Sequence, residues 1–181
     1  MTAQTPLSPR AQEIVRAARE LLESEGPDGL SMRLIAARLG VQAPSLYKHL
    51  TDKRAITNAI VIEALGELTA TIAAAMDAAD DRLWAGAMAQ REWALAHPHL
   101  YRLIMEQPIG EEPELQAAGQ RAGVPLRSVT GDDRMAFTAL WCFGHGVIDQ
   151  ELRGRIPPDI DVIALWRRGL DALRPDAPAA G

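Results

Sequence analysis

The chain has 181 residues, of which 48% are hydrophobic, and a net charge of −5. That length allows one compact domain, or two small ones sharing a core, and the acidic balance argues at first against a polyanionic partner. Its one cysteine, Cys142, excludes an intrachain disulfide and a thiolate-rich metal site, and suits a reducing, cytoplasmic compartment.

Residues 1–9 carry no basic-then-apolar pattern, so export is not expected, and residues 1–8 are expected to fray. Ser8-Pro9 combines an N-cap with a proline at the first helical position. A helix is predicted from Pro9 to about Glu25, with Ile14, Ala18, Leu21 and Leu22 inward. Gly26-Pro27-Asp28-Gly29 breaks it. Ser31 offers a hydroxyl to the first turn of a second helix, Met32 to Leu39, with Ile35, Ala36 and Leu39 inward. Gly40 follows, where a left-handed turn suits glycine, and Val41 pins that turn to the core. Pro44 opens a helix of about seven residues, too short to be stable alone. Leu46 points inward on this reading, which leaves Ser45, Tyr47, Lys48 and His49 facing out.

A long helix from about Asp52 to Asp77 repeats Ile56, Ile60, Ala64, Leu68, Ile72 and Met76 every four residues. No apolar run reaches the ~18 residues of a membrane helix. Further helices are predicted from Asp81 to about Ala96 and over Leu100 to Met105. Residues 107–131, rich in proline and glycine, read as loop, one helix near Glu114 to Arg121, and loop. Two more helices follow, about Asp132 to Arg153 and Ile160 to Arg174. The tail 175–181 reads as disordered. No strand alternation or internal repeat is present, so the fold class is all-α.

Charge is unevenly distributed. Between Ser31 and Ile56 stand Arg33, Arg38, Lys48, Lys53 and Arg54 against Asp52 alone, a local +4 that leaves −9 for the rest. A basic face on an acidic body is what docking to a nucleic-acid groove requires. The helix-turn-helix frame alone is equally well a helical hairpin with a glycine cap. The outward pattern decides further. Residues 30–56, LSMRLIAARLGVQAPSLYKHLTDKRAI, resemble the TetR family of bacterial transcriptional repressors, with Leu39, Gly40, Val41, Leu46, Tyr47, His49 and Lys53 in register.

The resemblance implies an N-terminal three-helix head, residues 1–55, joined by the long helix to a helical effector-binding and dimerisation body, residues 56–174. It implies that Tyr47, His49 and Lys53 contact phosphates, and that Arg33 reaches a base edge. Gln42, Ala43, Pro44, Ser45 and Lys48 would set sequence preference. The partner is then double-stranded DNA with an inverted-repeat operator. Residues 93–105, WALAHPHLYRLIM, and 139–152, ALWCFGHGVIDQEL, also resemble the ligand-binding body of one TetR subgroup. Its hallmark is a Trp-His-Gly-like triplet, which here reads Gly144-His145-Gly146.

One short recognition helix covers few base pairs, so two copies should read half-sites about 34–36 Å apart. Phe137, Leu140, Gly144 and Ile148, with Ile163, Trp166 and Leu170, are the expected homodimer interface; packing into the protomer's own core is the alternative. A small apolar or amphipathic effector is expected to meet Met88, Trp93, His97, Tyr101, Met105, Trp141, Cys142 and His145, and ordinary core is again the alternative. His97 and His99 are spaced to opposite sides of a helix, so neither metal nor cofactor is expected. No nucleophile–base pair, metal cluster or phosphate loop supports an enzyme. The expected function is repression relieved by the effector; a regulator without an effector, protein-controlled or constitutive, is the alternative.

Overall fold

The computed structural model describes residues 7–50, 52–107 and 112–174. Among them are ten α-helices and one short 3-10 turn, with no strand. The fraying expected for residues 1–6 and the disorder expected for 175–181 lie outside the described residues. The helices fall into two compact units. The first runs to Glu67 and resumes over His97–Gly119; the second takes Leu68–Ala96 and the chain from Gln120 onward.

In the first unit, α1 (Pro9–Glu25) starts where Ser8 accepts a hydrogen bond from the Ala11 amide, with Pro9 placed where a missing amide costs nothing. Ile14, Val15, Ala18, Leu21 and Leu22 are buried along one face. The Gly26–Gly29 3-10 turn folds back so closely that a Cβ at Gly29 would lie 2.4 Å from the Leu21 carbonyl oxygen. α2 (Met32–Arg38) and α3 (Ala43–Leu46) follow. Ser31 holds the N-cap position of α2 with extended backbone, but its side chain makes no cap hydrogen bond, contrary to the sequence reading. Gly40 has φ +65°; its amide donates to Ala37 and the Val41 amide to Ala36, the paired closure of a Schellman turn. α3 is shorter than the seven residues expected. Beyond Leu46 the chain continues as a turn, with the His49 and Leu50 amides both donating to the Leu46 carbonyl.

α4 (Lys53–Asp77) begins where the Asp52 carboxylate accepts from the Ala55 amide at 2.7 Å. Its length and composition would suffice to cross a membrane, contrary to the expectation from uninterrupted apolar runs. Ile56, Ile60, Val61, Ala64 and Leu65 are nevertheless buried inside the protein, as in a core helix. α6 (Pro98–Glu106) packs on α1, and α7 (Pro113–Ala122) begins in this unit.

In the second unit, α9 (Arg134–Leu152) packs against α5 (Arg82–Ala96), α8 (Val124–Thr130) and α10 (Val162–Leu173). Asp133 and Asp161 cap α9 and α10, each accepting from two first-turn amides. α8 was read as loop from Gly123, Pro125 and Gly131. In the structure Pro125 occupies the first turn, where its missing amide is harmless, and Gly131, at φ +56°, ends the helix. The α9–α10 contact is reciprocal. Gly144 on α9 receives the Trp166 ring, a Cβ there lying 3.5 Å from it, and Gly169 on α10 receives the Phe143 ring. The two rings meet edge to face with centroids 5.4 Å apart.

Candidate nucleic-acid interface

The turn from α2 to α4 exposes one run of polar side chains over a buried floor. Leu46 and Leu50 are 1% and 7% exposed, which fixes the orientation of the residues between them. Tyr47, Lys48 and His49 consequently face outward, Tyr47 being half-exposed, and Lys53 is exposed at the first turn of α4. Arg33, Gln42 and Pro44 are exposed as well, whereas Ala43 and Ser45 are half-buried. The Ser45 hydroxyl donates to the Gln42 carbonyl at 2.8 Å, so within the protein it is free only to accept.

Partnering divides the basic residues in a way the sequence did not disclose. Arg38 pairs with Glu20 of α1 at 2.8 Å, and Arg54 pairs with Glu112 at 2.6 Å. Arg33, Lys48 and Lys53 make no ion pair among the described residues. Two of the five cations are therefore already compensated, and the uncompensated charge of this segment sits on Arg33, Lys48 and Lys53.

Residues 14–60 match the family described as "Bacterial regulatory proteins, tetR family", and residues 83–173 match "Tetracyclin repressor-like, C-terminal domain". An HTH-type transcriptional regulator of Mycobacterium tuberculosis, Rv0681, is 31% identical over 165 residues, covering 86% of this chain and 75% of the relative. The chain belongs to the TetR family. Its fold is also that of a protein from Rhodococcus sp. RHA1 (TM-score 0.78, 25% identity, 96% and 97% of the two chains). It is similar too to a multidrug binding protein, EbrR, solved with imidazole (TM-score 0.71, 26% identity, 96% and 94%). TetR-family proteins are DNA-binding transcriptional regulators that act as dimers, and they are not enzymes.

The remaining candidate residues of this TetR-family protein are distributed as follows. Leu140, Gly144, Ile148, Trp166 and Leu170 are buried within their own unit, and Phe137 is half-buried; only Ile163 of the expected interface set is exposed. The exposed apolar side chains of α9 and α10 and the turn before α10 are instead Met135, Trp141, Ile160 and Ile163. Of the expected effector set, Met88, Trp93, Trp141, Cys142 and His145 belong to the second unit and His97, Tyr101 and Met105 to the first. Trp93 and Tyr101 are buried, Met88 is half-buried, and Met105, Trp141 and Cys142 are exposed. The Trp141 ring lies against that of His145, tilted by 57° with centroids 4.6 Å apart, and Gln90 of α5 approaches the His145 Nε2 at 3.4 Å. His97 lies against Glu23 of α1. A groove of about 960 Å³ in the first unit, beside Arg16, Asn58, Ile62 and Glu63, is lined by none of the eight.

Burial pushes the His145 imidazole down to about 4. The unfolded chain takes up that proton first as pH falls. Stability is therefore full above the ordinary histidine value of 6.5 and lost as pH falls toward about 4. Chemical denaturation across this window should show wild type losing up to about 3 kcal/mol more than His145→Gln. Equal slopes for the two proteins would contradict the assigned burial.

Proposed function

We propose that this TetR-family regulator is a cytoplasmic repressor that binds an inverted-repeat operator as a homodimer. Residues 1–55 read the DNA, and residues 56–174 bind the effector and dimerise. The observation that carries this reading is the outward run of Tyr47, Lys48, His49 and Lys53 above the buried Leu46 and Leu50. Tyr47 and His49 offer hydrogen bonds to phosphates and Lys53 adds charge. Arg33 reaches a base edge, while Gln42, Ala43, Pro44, Ser45 and Lys48 set preference. The exposed apolar side chains Met135, Trp141, Ile160 and Ile163 support a twofold contact through the outer face of α9 and α10.

A small apolar or amphipathic effector bound in the body releases the operator. The similarity to a multidrug binding protein supports this, as does the Trp141, His145 and Gln90 cluster, which combines an aromatic face with hydrogen-bonding groups. The effector acts only through its different affinity for the two states, and a hundredfold loss of DNA affinity requires about 2.7 kcal/mol of coupling.

Selection of bound duplexes from a random pool tests the whole reading, and the expected product is an inverted repeat. On that operator, Lys53→Ala should weaken binding at every sequence and reduce the salt slope by about one. Tyr47→Phe should weaken binding uniformly, and Arg33→Ala should relax preference at one base position. Unchanged affinity and preference in all three variants would overturn the assigned contacts.

A further inference from the structure

The chain leaves the first unit after Glu67 and re-enters it at His97. Both of these residues are bound to α1, one helical turn apart. Arg19 of α1 makes a bidentate ion pair with Glu67, one arm at 2.6 Å. Glu23 of α1 accepts from or pairs with the His97 Nδ1 at 2.6 Å and lies 3.5 Å from Arg19. The pairing with Arg19 holds the Glu67 carboxyl below its ordinary range, and Glu67 raises Arg19 in turn, so both partners favour the charged pair. His99, in the first turn of α6, lies over Gly26, where a Cβ would be 3.1 Å from its ring.

The next polar residue along the same helix reaches the reading motif. Glu20 pairs with Arg38 at the end of α2, and α2 in turn packs on α3. Helix α1 thus carries ion pairs to α2, to α4 and to the start of α6 within the five positions 19–23. None of Arg19, Glu23, Glu67 or His97 belongs to the exposed run that faces DNA.

We infer that Glu23 and His97, with Arg19 and Glu67, are positioning residues for DNA reading, anchoring both chain crossings to the helix that carries α2 and α3. The inference rests on the DNA-reading assignment above. A folded reading motif suffices for a half-site, whereas a full inverted repeat also requires each motif to hold a fixed register. Loosening the anchor should then affect the full operator alone.

The test compares wild type, Glu23→Gln, His97→Gln and the double variant on the selected operator and on a duplex carrying one half-site at low salt. Each single variant should weaken full-operator binding about fivefold, the scale of one net intramolecular hydrogen bond. The double variant should be no weaker than Glu23→Gln alone, because that substitution already removes the contact that His97→Gln removes. Half-site affinity should stay at the wild-type value, and the melting temperature should fall by no more than about 2–4 °C, the shift expected from one such bond. Unchanged full-operator affinity, strictly additive losses, or a parallel loss on the half-site would each overturn the inference. Wild-type protein that ignores every duplex would overturn the DNA-reading assignment and the inference together, and so is distinguishable from failure of the anchor alone.

Discussion

Trp166→Ala should reduce the stability of the folded protomer by about 3–5 kcal/mol, the range for deleting a fully buried large aromatic side chain. Trp166 is 1% exposed, fills the space above Gly144 and meets the Phe143 ring edge-on. The surrounding helices are held by their own caps and cannot collapse onto the space, so most of the cavity should remain. For a chain of this length the melting temperature should fall by roughly 6–20 °C. Trp166→Phe should cost far less. It keeps most of the ring and removes an indole N–H that is buried with no partner among the described residues. Thermal unfolding at several protein concentrations discriminates between the two locations for this side chain. A protomer-core residue lowers the melting temperature equally at every concentration. An interface residue would lower it through dissociation, with a concentration dependence that grows in the variant. The second pattern would place Trp166 in the dimer contact instead.

The double substitution Trp141→Glu with Ile163→Glu should do the opposite. Both side chains are about 45% exposed on α9 and α10, so replacing them removes no fully buried side chain, and Trp141 gives up its contact with His145. Two carboxylates buried on each side of a twofold contact would be desolvated close to like charges, which disfavours association. Sedimentation should show monomers at concentrations where wild type is dimeric. Affinity for the full operator should drop by at least about 100-fold, because linking two binding modules commonly raises avidity by 10²–10⁴. Binding to a single half-site should be unchanged. A variant that remains dimeric, or that retains full-operator affinity as a monomer, would remove the proposed interface.

Trp166 and Ile163 show where reading from residues alone succeeds and stops. Both stand on a helix whose existence follows from local pattern, although its first residue, Val162 after the Asp161 cap, lies two residues beyond the expected Ile160. Both were assigned to the contact with a second copy. Only packing separates them: α9 and α10 carry apolar residues on more than one side, so periodicity identifies the helices without saying which side the protomer uses for itself. Gly144 and Gly169 mark close approach correctly, but their partners, Trp166 and Phe143, lie in the same protomer. Likewise Lys48 and Lys53 stand without an ion pair among the described residues, whereas Arg38 and Arg54, which look equivalent to them in the sequence, are paired. Their acid partners are 18 and 58 residues away.

Whereas the Ser31 cap, the length of α3 and the existence of α8 did not follow from local pattern, the start of α1 at Ser8-Pro9 and the left-handed turn at Gly40 depend on interactions within a few residues, so the order of amino acids suffices to specify them. The same holds for the outward run from Tyr47 to His49, because Leu46 and Leu50 can only turn toward the interior. The fate of His97 depends on a residue 74 positions earlier, and that of Trp166 on which helix reaches it first. Such pairings are set by the packing of whole elements, a balance of burial and charge that no local pattern encodes.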